Sequence, residues 1–470
     1  ELDLAEYTGR TPVEMTGRAA FPPIGQLPYL LTLPPYGFYW FMLSEDAVAP
    51  EWSSTAPPVA VEQHTFVLRE GLIDVARGEN RQVLEREILP DYVVHRRWFA
   101  GKNEKVVATR LVSAVALAGP EDLLLGEIEV ETESGTACYA LPLGVAWEGE
   151  PSGPYAPNLA LARVRRGRNV GLLTDGFAVP AFALAMAEGL RGGATLATEA
   201  GEIRFLPGDA IGTDARPAPE WIAAEQSNST LILGREAVVK LLRQIQPGVH
   251  PEAEMVRFLR ERGFAHVPPL LGEVVRTLAD GDPSTLMIVQ GFVYNQGDGW
   301  QWTLDMLSRL AAEAGKAGSD FENYGNFAET LGARLAQMHL LLAGPSEDPA
   351  FAPEPMTDDQ ARALAERVRG QIEGLEESEP LLAAIDGLAR QATGQLRTRI
   401  HGDLHLGQVL VTAGDVMFID FEGEPARPLA ERRAKDLPLR DVAGMLRSFD
   451  YAAAAALRAQ PEAGESLHDP

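Results

Sequence analysis

Hydrophobic and polar positions divide this chain into a β-rich front and a helical back. Beyond residue 300, apolar positions recur at the 3.6-residue period of amphipathic helices, which predicts helices over 301–315, 326–343, 357–373, 379–396 and 437–458. The stretch 398–420 breaks that run and reads as a loop and a short hairpin. Ahead of it, Ile222–Gln226 and Leu231–Leu233 flank the polar loop Ser227-Asn228-Ser229-Thr230, Gly234-Arg235-Glu236 makes a turn, and Ala237–Leu242 is the next strand. Pro251 opens a helix in its first turn, the helix runs to about Arg262, and Gly263 stops it. Leu286–Gln290 is a buried strand. Further forward, Arg81–Leu89 has helical spacing that Leu89-Pro90-Asp91-Tyr92 ends. Val106–Leu117, Leu123–Glu131 and Cys138–Val145 are β-rich, which predicts a helix on a twisted sheet. In residues 1–46, Pro22, Pro23, Pro28, Pro34 and Pro35 forbid a helix, while Tyr29–Leu33 and Phe38–Leu43 read as strands that need a partner sheet. The polar, proline-bearing run from Ser44 to Pro58 reads as a linker. The whole is α+β, with a site expected between lobes.

Composition narrows what such a chain does. Its 470 residues are too many for one ordinary domain, and 46% hydrophobic content supports buried cores. With 67 acidic against 41 basic residues, the formal charge of −26 disfavours nucleic acid and anionic lipid as partners. A single cysteine, Cys138, excludes an intrachain disulfide and a cysteine-ligated zinc cluster, and fits a reducing, cytoplasmic setting. No apolar run reaches the length of a membrane span, so no membrane partner is expected. The first residue is Glu1 and a charged segment follows, so the chain reads as cut from something longer.

The richest chemistry lies in His401-Gly402-Asp403-Leu404-His405-Leu406-Gly407-Gln408 and the apolar strand Val416-Met417-Phe418-Ile419-Asp420 behind it. Transfer of the γ-phosphate of ATP needs one group to orient the attacking hydroxyl and oxygen ligands to hold Mg2+ on the phosphates. Asp403 is the candidate catalytic base, and Gln408 and Asp420 are the candidate metal ligands. Lys240, in the apolar strand Ala237–Leu242, is costly to bury unpaired and suits the α- and β-phosphates. Glu254 is its expected partner and Glu252 the rival; an edge-strand lysine with its head in water is the plain alternative. Ser227, Asn228, Ser229 and Thr230 stand where a glycine-rich phosphate loop would, as a phosphate cradle or as a simple polar turn. Gln290 to Val293 is the expected hinge whose backbone meets adenine. No G-x-x-x-x-G-K-[ST] motif occurs, which disfavours a P-loop NTPase. His405 and Glu422 flank the site as sugar contacts, with Glu422 open to a metal role instead. Arg440, Asp441, Arg447 and Tyr451 share a face of the last helix that either reaches the acceptor, through Arg440 and Tyr451, or carries surface ion pairs. Trp300, after Asn295-Gln296-Gly297-Asp298-Gly299, is either a sugar platform or a half-buried helix start.

Residues 59 to about 458 resemble actinobacterial maltokinases. The resemblance is carried by Leu89–Lys102, the Ser227–Thr230 loop, Ala237–Arg243, His250–Leu259, Gly297–Trp300, His401–Leu410 and Phe418–Phe449. Aminoglycoside and choline phosphotransferases share only the core motif and the aspartate strand, and usually carry asparagine where this chain has Gln408. Thr11–Glu14, Phe21–Gly25 and Tyr29–Phe41 resemble the end of the C-terminal β-sandwich of trehalose synthases, without their catalytic barrel. The resemblance implies a bilobal, aminoglycoside-phosphotransferase-like kinase fold with an N-terminal cap and a short β remnant. It divides the chain into a β-sandwich remnant at 1–46, a linker at 47–58, a cap at 59–215, an N-lobe with hinge at 216–300 and a helical C-lobe at 301–470. It implies ATP and Mg2+ as cofactors, maltose as acceptor, maltose 1-phosphate as product, and trehalose synthase as a fused or docked partner in α-glucan synthesis.

Two other readings stay open: a kinase of aminoglycosides or amino alcohols, which an acidic surface would suit, and a non-catalytic kinase-like module docked to trehalose synthase. A glycosidase using Asp420 and Glu422 fails, because residues two apart on one strand share a face and leave no room for a sugar between them.

Overall fold

A computed structural model of the chain describes residues 4, 7, 10–14, 24, 41–44, 64–102, 104–117, 122–150, 153–209, 218–222, 227–279, 281–313, 322–372, 379–425 and 427–459. They form two units, Glu1–His64 and Thr65–Pro470. In the first, Thr11–Glu14 pairs antiparallel with Phe41–Ser44. The expected strand Phe38–Leu43 is thus met by Phe41–Ser44, while Tyr29–Leu33 and nearly all of the linker lie outside the described residues. Thr11–Glu14 was not among the expected strands; Pro12 lacks an N–H, which is tolerated on one strand of a two-stranded pair.

The second unit is built on two antiparallel-rich sheets. An eight-stranded sheet runs in the order Gln244–Ile245, Gly135–Ala140, Leu123–Thr132, Leu143–Trp147, Asn169–Asp175, Ala160–Arg166 and Thr65–Val67, with Val106–Ala116 also paired to Leu123–Thr132. The expected strand Cys138–Val145 is two strands, because Pro142 breaks the ladder between them. The helix expected to end at Pro90 continues from Gly78 to Val94. Its turn Leu84–Ile88 is a π-helix, and a widened turn ahead of Pro90 accommodates a ring that lacks an N–H.

The second sheet has seven strands, in the order Thr195–Ala197, Gly201–Pro207, Leu270–Leu278, Ser284–Gly291, Ala237–Leu241, Ser229–Leu233 and Pro219–Trp221. This sheet crosses the boundary drawn at residue 215, since strands at 195–207 join the strand that carries Lys240. Gln244–Ile245 crosses the other way, pairing with Tyr139 and Cys138 of the first sheet. The helix Pro180–Gly192 buries Phe182, Met186 and Leu190 against the second sheet. Neither that helix nor most of these short strands is conspicuous in the hydrophobic pattern.

The back of the chain follows its periodicity. Helices Gly299–Glu313, Glu322–Leu342, Asp358–Ile372, Glu379–Ala392 and Leu439–Ala459 stand where the 3.6-residue spacing places them. Pro251–Glu261 packs Met255, Val256 and Leu259 into their core, and Gly263 ends it at φ 79°. Among the described residues no helix is long and apolar enough to cross a membrane.

The two sheets are stapled by a buried arginine. Arg243 follows the Lys240 strand and pairs with Asp175 of the first sheet at 2.7 Å, both side chains being essentially sealed from solvent. Its Nε donates to Ser229 Oγ at 2.7 Å, and its carbonyl accepts from Ala140 N at 2.7 Å. Removing one partner of such a pair strands a buried charge, which costs about 3–5 kcal/mol, whereas replacing both with apolar groups is far milder. Asp175→Ala is therefore expected to lower the urea midpoint by that amount of stability, and Asp175→Leu with Arg243→Met to recover most of it. Equal losses in both proteins would show that packing, not the stranded charge, sets the cost.

Candidate active site

The site is assembled where a hairpin of the C-lobe meets the lysine strand. Val409–Val411 and Val416–Phe418 pair with Val409 opposite Phe418, so Gln408 and Asp420 flank the open end of that hairpin. Ile419 N donates to Gln408 O at 3.0 Å, and Gln408 Nε2 donates to Asp420 Oδ2 at 3.1 Å. Asp420 lies two residues past the strand rather than at its end, with φ 67°. A left-handed backbone at a residue other than glycine costs of order 1 kcal/mol or more and persists only where the surroundings hold it. Here the carboxylate is held between Gln408 and Lys240, whose Nζ donates to Asp420 Oδ1.

Lys240 is ringed by carboxylates. Its Nζ is 2.9 Å from Glu252 Oε2, in hydrogen-bond contact with Asp420, and 3.6 Å from Glu422 Oε1. Burial opposes its charge, but attraction to Glu252, Asp420 and Glu422 outweighs this and holds its pKa well above the ordinary lysine value. Burial pushes Glu252 up to about 7 against the pull of Lys240. Glu422 is raised by burial as well, and Asp420, despite burial, is held low by Lys240. Asn228 Nδ2 donates to Glu422 Oε2 at 3.3 Å, and Arg432 lies 3.9 Å from the same carboxylate.

The catalytic-loop candidate is held from behind. Asp441, buried on the last helix, accepts from the amides of His401 and Gly402, each at 2.9 Å, and lies 2.9 Å from His339 Nε2. Gly402 has φ 86°, which lets the chain turn there and leaves Asp403 half-buried. Leu406 N donates to Ser448 Oγ at 3.1 Å. Gly444 is required by contact: a Cβ there would stand 2.6 Å from Leu404 O. Asp441 was visible only as one polar residue on the last helix; its grip on two backbone amides has no sequence signature.

Several expected residues are placed differently. Glu254 does not meet Lys240. It pairs instead with Arg399 at 2.7 Å and Arg433 at 2.6 Å, while Glu252, two residues earlier in the first helical turn, faces the lysine. Residues two apart on a helix point about 200° apart, so only one of them reaches the strand. Ser229 and Thr230 lie in a strand rather than a loop, and Ser229 is turned inward onto Arg243. Gln290 is buried in mid-sheet, paired with both Val238 and Leu270, so its backbone does not face a cleft; the Val293 carbonyl accepts from Asn295 Nδ2 at 2.8 Å. His405 Nδ1 accepts from Gly407 N at 3.1 Å and caps the turn Leu406–Gln408. Arg440 pairs with Asp436 and Glu424, and Tyr451 is exposed; among the described contacts neither reaches Asp403. Trp300 packs half-buried at the start of its helix against the C-lobe core.

Beside the cluster lies a cavity of about 250 Å³ lined by Arg97 and Trp98 with Ser227, Asn228, His250 and Glu422 among others. Among the described residues no group of three His, Cys, Asp or Glu side chains is arranged to hold a metal. Gln408 and Asp420 nonetheless offer an amide oxygen and a carboxylate, hard donors of the kind Mg2+ takes alongside substrate phosphates and water.

Burial of His250 yields a pH test. Burial, Lys240 and Arg432 push its pKa down from 6.5 to about 3, so it stays neutral in the fold. The unfolded chain takes up that proton below 6.5, so this contribution is complete above 6.5 and is lost as pH falls towards 3. The stability of the parent relative to His250→Asn is expected to fall by up to about 1.4 kcal/mol per pH unit between pH 6.5 and 4.5 in urea unfolding. A constant difference would show that His250 is protonated in the fold. Glu252 has the opposite sign, its contribution being lost as pH rises from 4.5 through about 7, and it cancels in this comparison.

Residues 220–468, more than half of the chain, match the phosphotransferase enzyme family. Residues 92–178 match the maltokinase N-terminal cap domain, and residues 1–40 the C-terminal domain of maltogenic amylase. A glucosamine kinase of Mycolicibacterium smegmatis is 29% identical over 257 residues, covering 53% of this chain and 62% of that protein. The chain therefore spans about three-fifths of the length of that relative. A trehalose synthase/amylase of the same organism is 62% identical over 50 residues, which are 11% of this chain and 8% of that one. The solved structure of a glucosamine kinase in complex with glucosamine, ADP and inorganic phosphate superposes with a TM-score of 0.52 at 22% identity, covering 80% of this chain and 87% of that one. This likeness places the two-lobed kinase fold expected from the sequence. The chain belongs to the phosphotransferase enzyme family, joined to a maltokinase-type cap and to a segment akin to the end of trehalose synthase.

Proposed function

We propose that this chain phosphorylates maltose at its anomeric hydroxyl with ATP, giving maltose 1-phosphate. The observation that carries the reading is the convergence of Lys240, Gln408 and Asp420 beside the loop that presents Asp403. The choice of sugar is supported by the maltokinase-type cap and by the segment akin to trehalose synthase. A cytoplasmic setting and a fused or docked trehalose synthase belong to the same reading.

The chain's own residues do three things. Asp403 accepts the hydrogen bond of the sugar hydroxyl and aims its oxygen at the γ-phosphorus for in-line displacement. Lys240, braced by Glu252, holds phosphate oxygens of ATP, and Asn228 lies beside them at the end of the phosphate loop. Gln408 and Asp420 would hold Mg2+, which when bound neutralises charge on the phosphates. Exchange of the Asp420–Lys240 contact for the nucleotide would free both groups for these roles.

A second reading has support of its own: a glucosamine kinase is 29% identical over 257 residues of the chain, which favours an amino sugar as acceptor. An assay of ADP release over maltose and glucosamine separates them. Higher kcat/KM on maltose, with a phosphorylated disaccharide as product, is expected; preference for glucosamine would replace the acceptor and leave the site intact. Asp403→Asn is expected to cut kcat by about 10²–10⁴-fold with little change in the KM for ATP. Turnover equal to the parent would remove Asp403 from the chemistry. Gln408→Ala should raise the Mg2+ concentration needed for half-maximal rate, and an unchanged requirement would remove that residue from the metal site.

A further inference from the structure

A second cavity, of about 280 Å³, lies between the cap and the strand that leads out of the phosphate loop. It is lined by Arg96, Arg97 and Tyr155 from the cap and by Trp221, Thr230 and Arg243 from the lobe, among others. Lys240, Gln408 and Asp420 do not line it, and of its lining residues Arg97 is shared with the first cavity. Its charge is unusual for this chain. Acidic residues outnumber basic ones 67 to 41 overall, yet among the described residues that line this cavity there is no aspartate or glutamate.

The arginines are not all spent. Arg243 is committed to Asp175. Arg96 lies over the Tyr92 ring at 4.6 Å and gives one N–H to Asn158 O at 3.2 Å, but its Nε is buried without an acceptor. Its guanidinium lines the cavity and carries N–H groups beyond the one given to Asn158, which an oxyanion would accept. Arg97 is exposed and makes no ion pair with a described residue. Tyr155 and Trp221 add aromatic rings to the same lining, and Thr230 a hydroxyl. The position matters too: Thr230 is paired in register with Lys240, so a ligand here sits one strand away from the lysine.

We propose that this cavity binds a phosphorylated monosaccharide, with its phosphoryl group on Arg96 and Arg97 and its ring against Tyr155 and Trp221. Two guanidinium groups and no carboxylate select the dianion, and the aromatic pair selects a ring over inorganic phosphate. The volume suits one phosphorylated ring. The site would report sugar phosphate to the phosphate loop through Ser229 and Thr230.

The test is calorimetric titration of glucose 1-phosphate into the full chain, with and without saturating Mg2+ and AMP-PNP. One molecule is expected to bind per chain in both conditions, with glucose not binding and inorganic phosphate binding at least tenfold more weakly. Arg96→Ala and Arg97→Ala, each with the melting temperature of the parent, should each weaken binding at least tenfold. If either variant fails to fold, Tyr155→Ala takes its place with the same expected loss. No binding, binding unchanged in the variants, displacement by AMP-PNP, or equal affinity for inorganic phosphate would overturn the proposal. The titration needs no turnover, so its failure in an active kinase would sink this site alone, and binding by an inactive chain would leave the site standing.

Discussion

An ammonium group buried in an apolar strand has to be neutralised where it stands. Lys240 lies in mid-strand between Val239 and Leu241, both buried, and its head reaches Glu252, Asp420 and Glu422. Each of those carboxylates arrives from a different constraint. Glu252 requires the helix Pro251–Glu261 to begin close to the lysine strand. Asp420 requires a left-handed backbone just past a tight hairpin. Glu422 requires the following segment to turn back under Asn228. Removing the lysine would leave the buried Glu252 and Glu422 and the half-buried Asp420 without their shared cation, with Arg432 only 3.9 Å from Glu422. The arrangement therefore fixes how the lobe that carries Lys240 meets the lobe that carries Asp403, before any ligand is present.

The same excess of carboxylate suits phosphoryl transfer. The cluster balances in the free protein only through short contacts to Lys240 and through raised pKa values at Glu252 and Glu422. A divalent cation and a nucleotide arriving together would supply the missing positive charge to Asp420 and give Lys240 a phosphate. The cap is tied in from the other side: Arg243 links Asp175 of the cap sheet to Ser229, and the strand Gln244–Ile245 joins the cap sheet directly. Cap and lobe share strands and a buried ion pair, and the stretch Thr65–Pro470 is accordingly one compact unit.

The C-lobe was legible in the sequence because its helices are amphipathic and long enough for the period to show, as in Glu322–Leu342 and Leu439–Ala459. The meeting of Gln408 with Asp420 next to the Asp403 loop was legible because their spacing on one loop and one hairpin is local. What depends on tertiary approach was not. Glu252 and Glu254 are indistinguishable in sequence, and only the direction in which the helix leaves Pro251 decides which meets Lys240. Asp441 and Arg243 act through backbone amides and a distant carboxylate, which no local pattern marks. Ser229 reads as a loop hydroxyl until its strand neighbours turn it inward. The strands at 195–207 are short and half-exposed, so their alternation is too weak to show that the lysine sheet extends to them. Pro90 misleads for a different reason, since a π-turn lets the helix pass it.

The most direct test of the central claim is a crystal structure of the chain with Mn2+ and AMP-PNP, read by anomalous scattering. A manganese peak is expected between Gln408 and Asp420, with Lys240 released from Asp420 onto the phosphates and still paired with Glu252. A peak elsewhere, or a Lys240–Asp420 contact that persists with nucleotide bound, would contradict it.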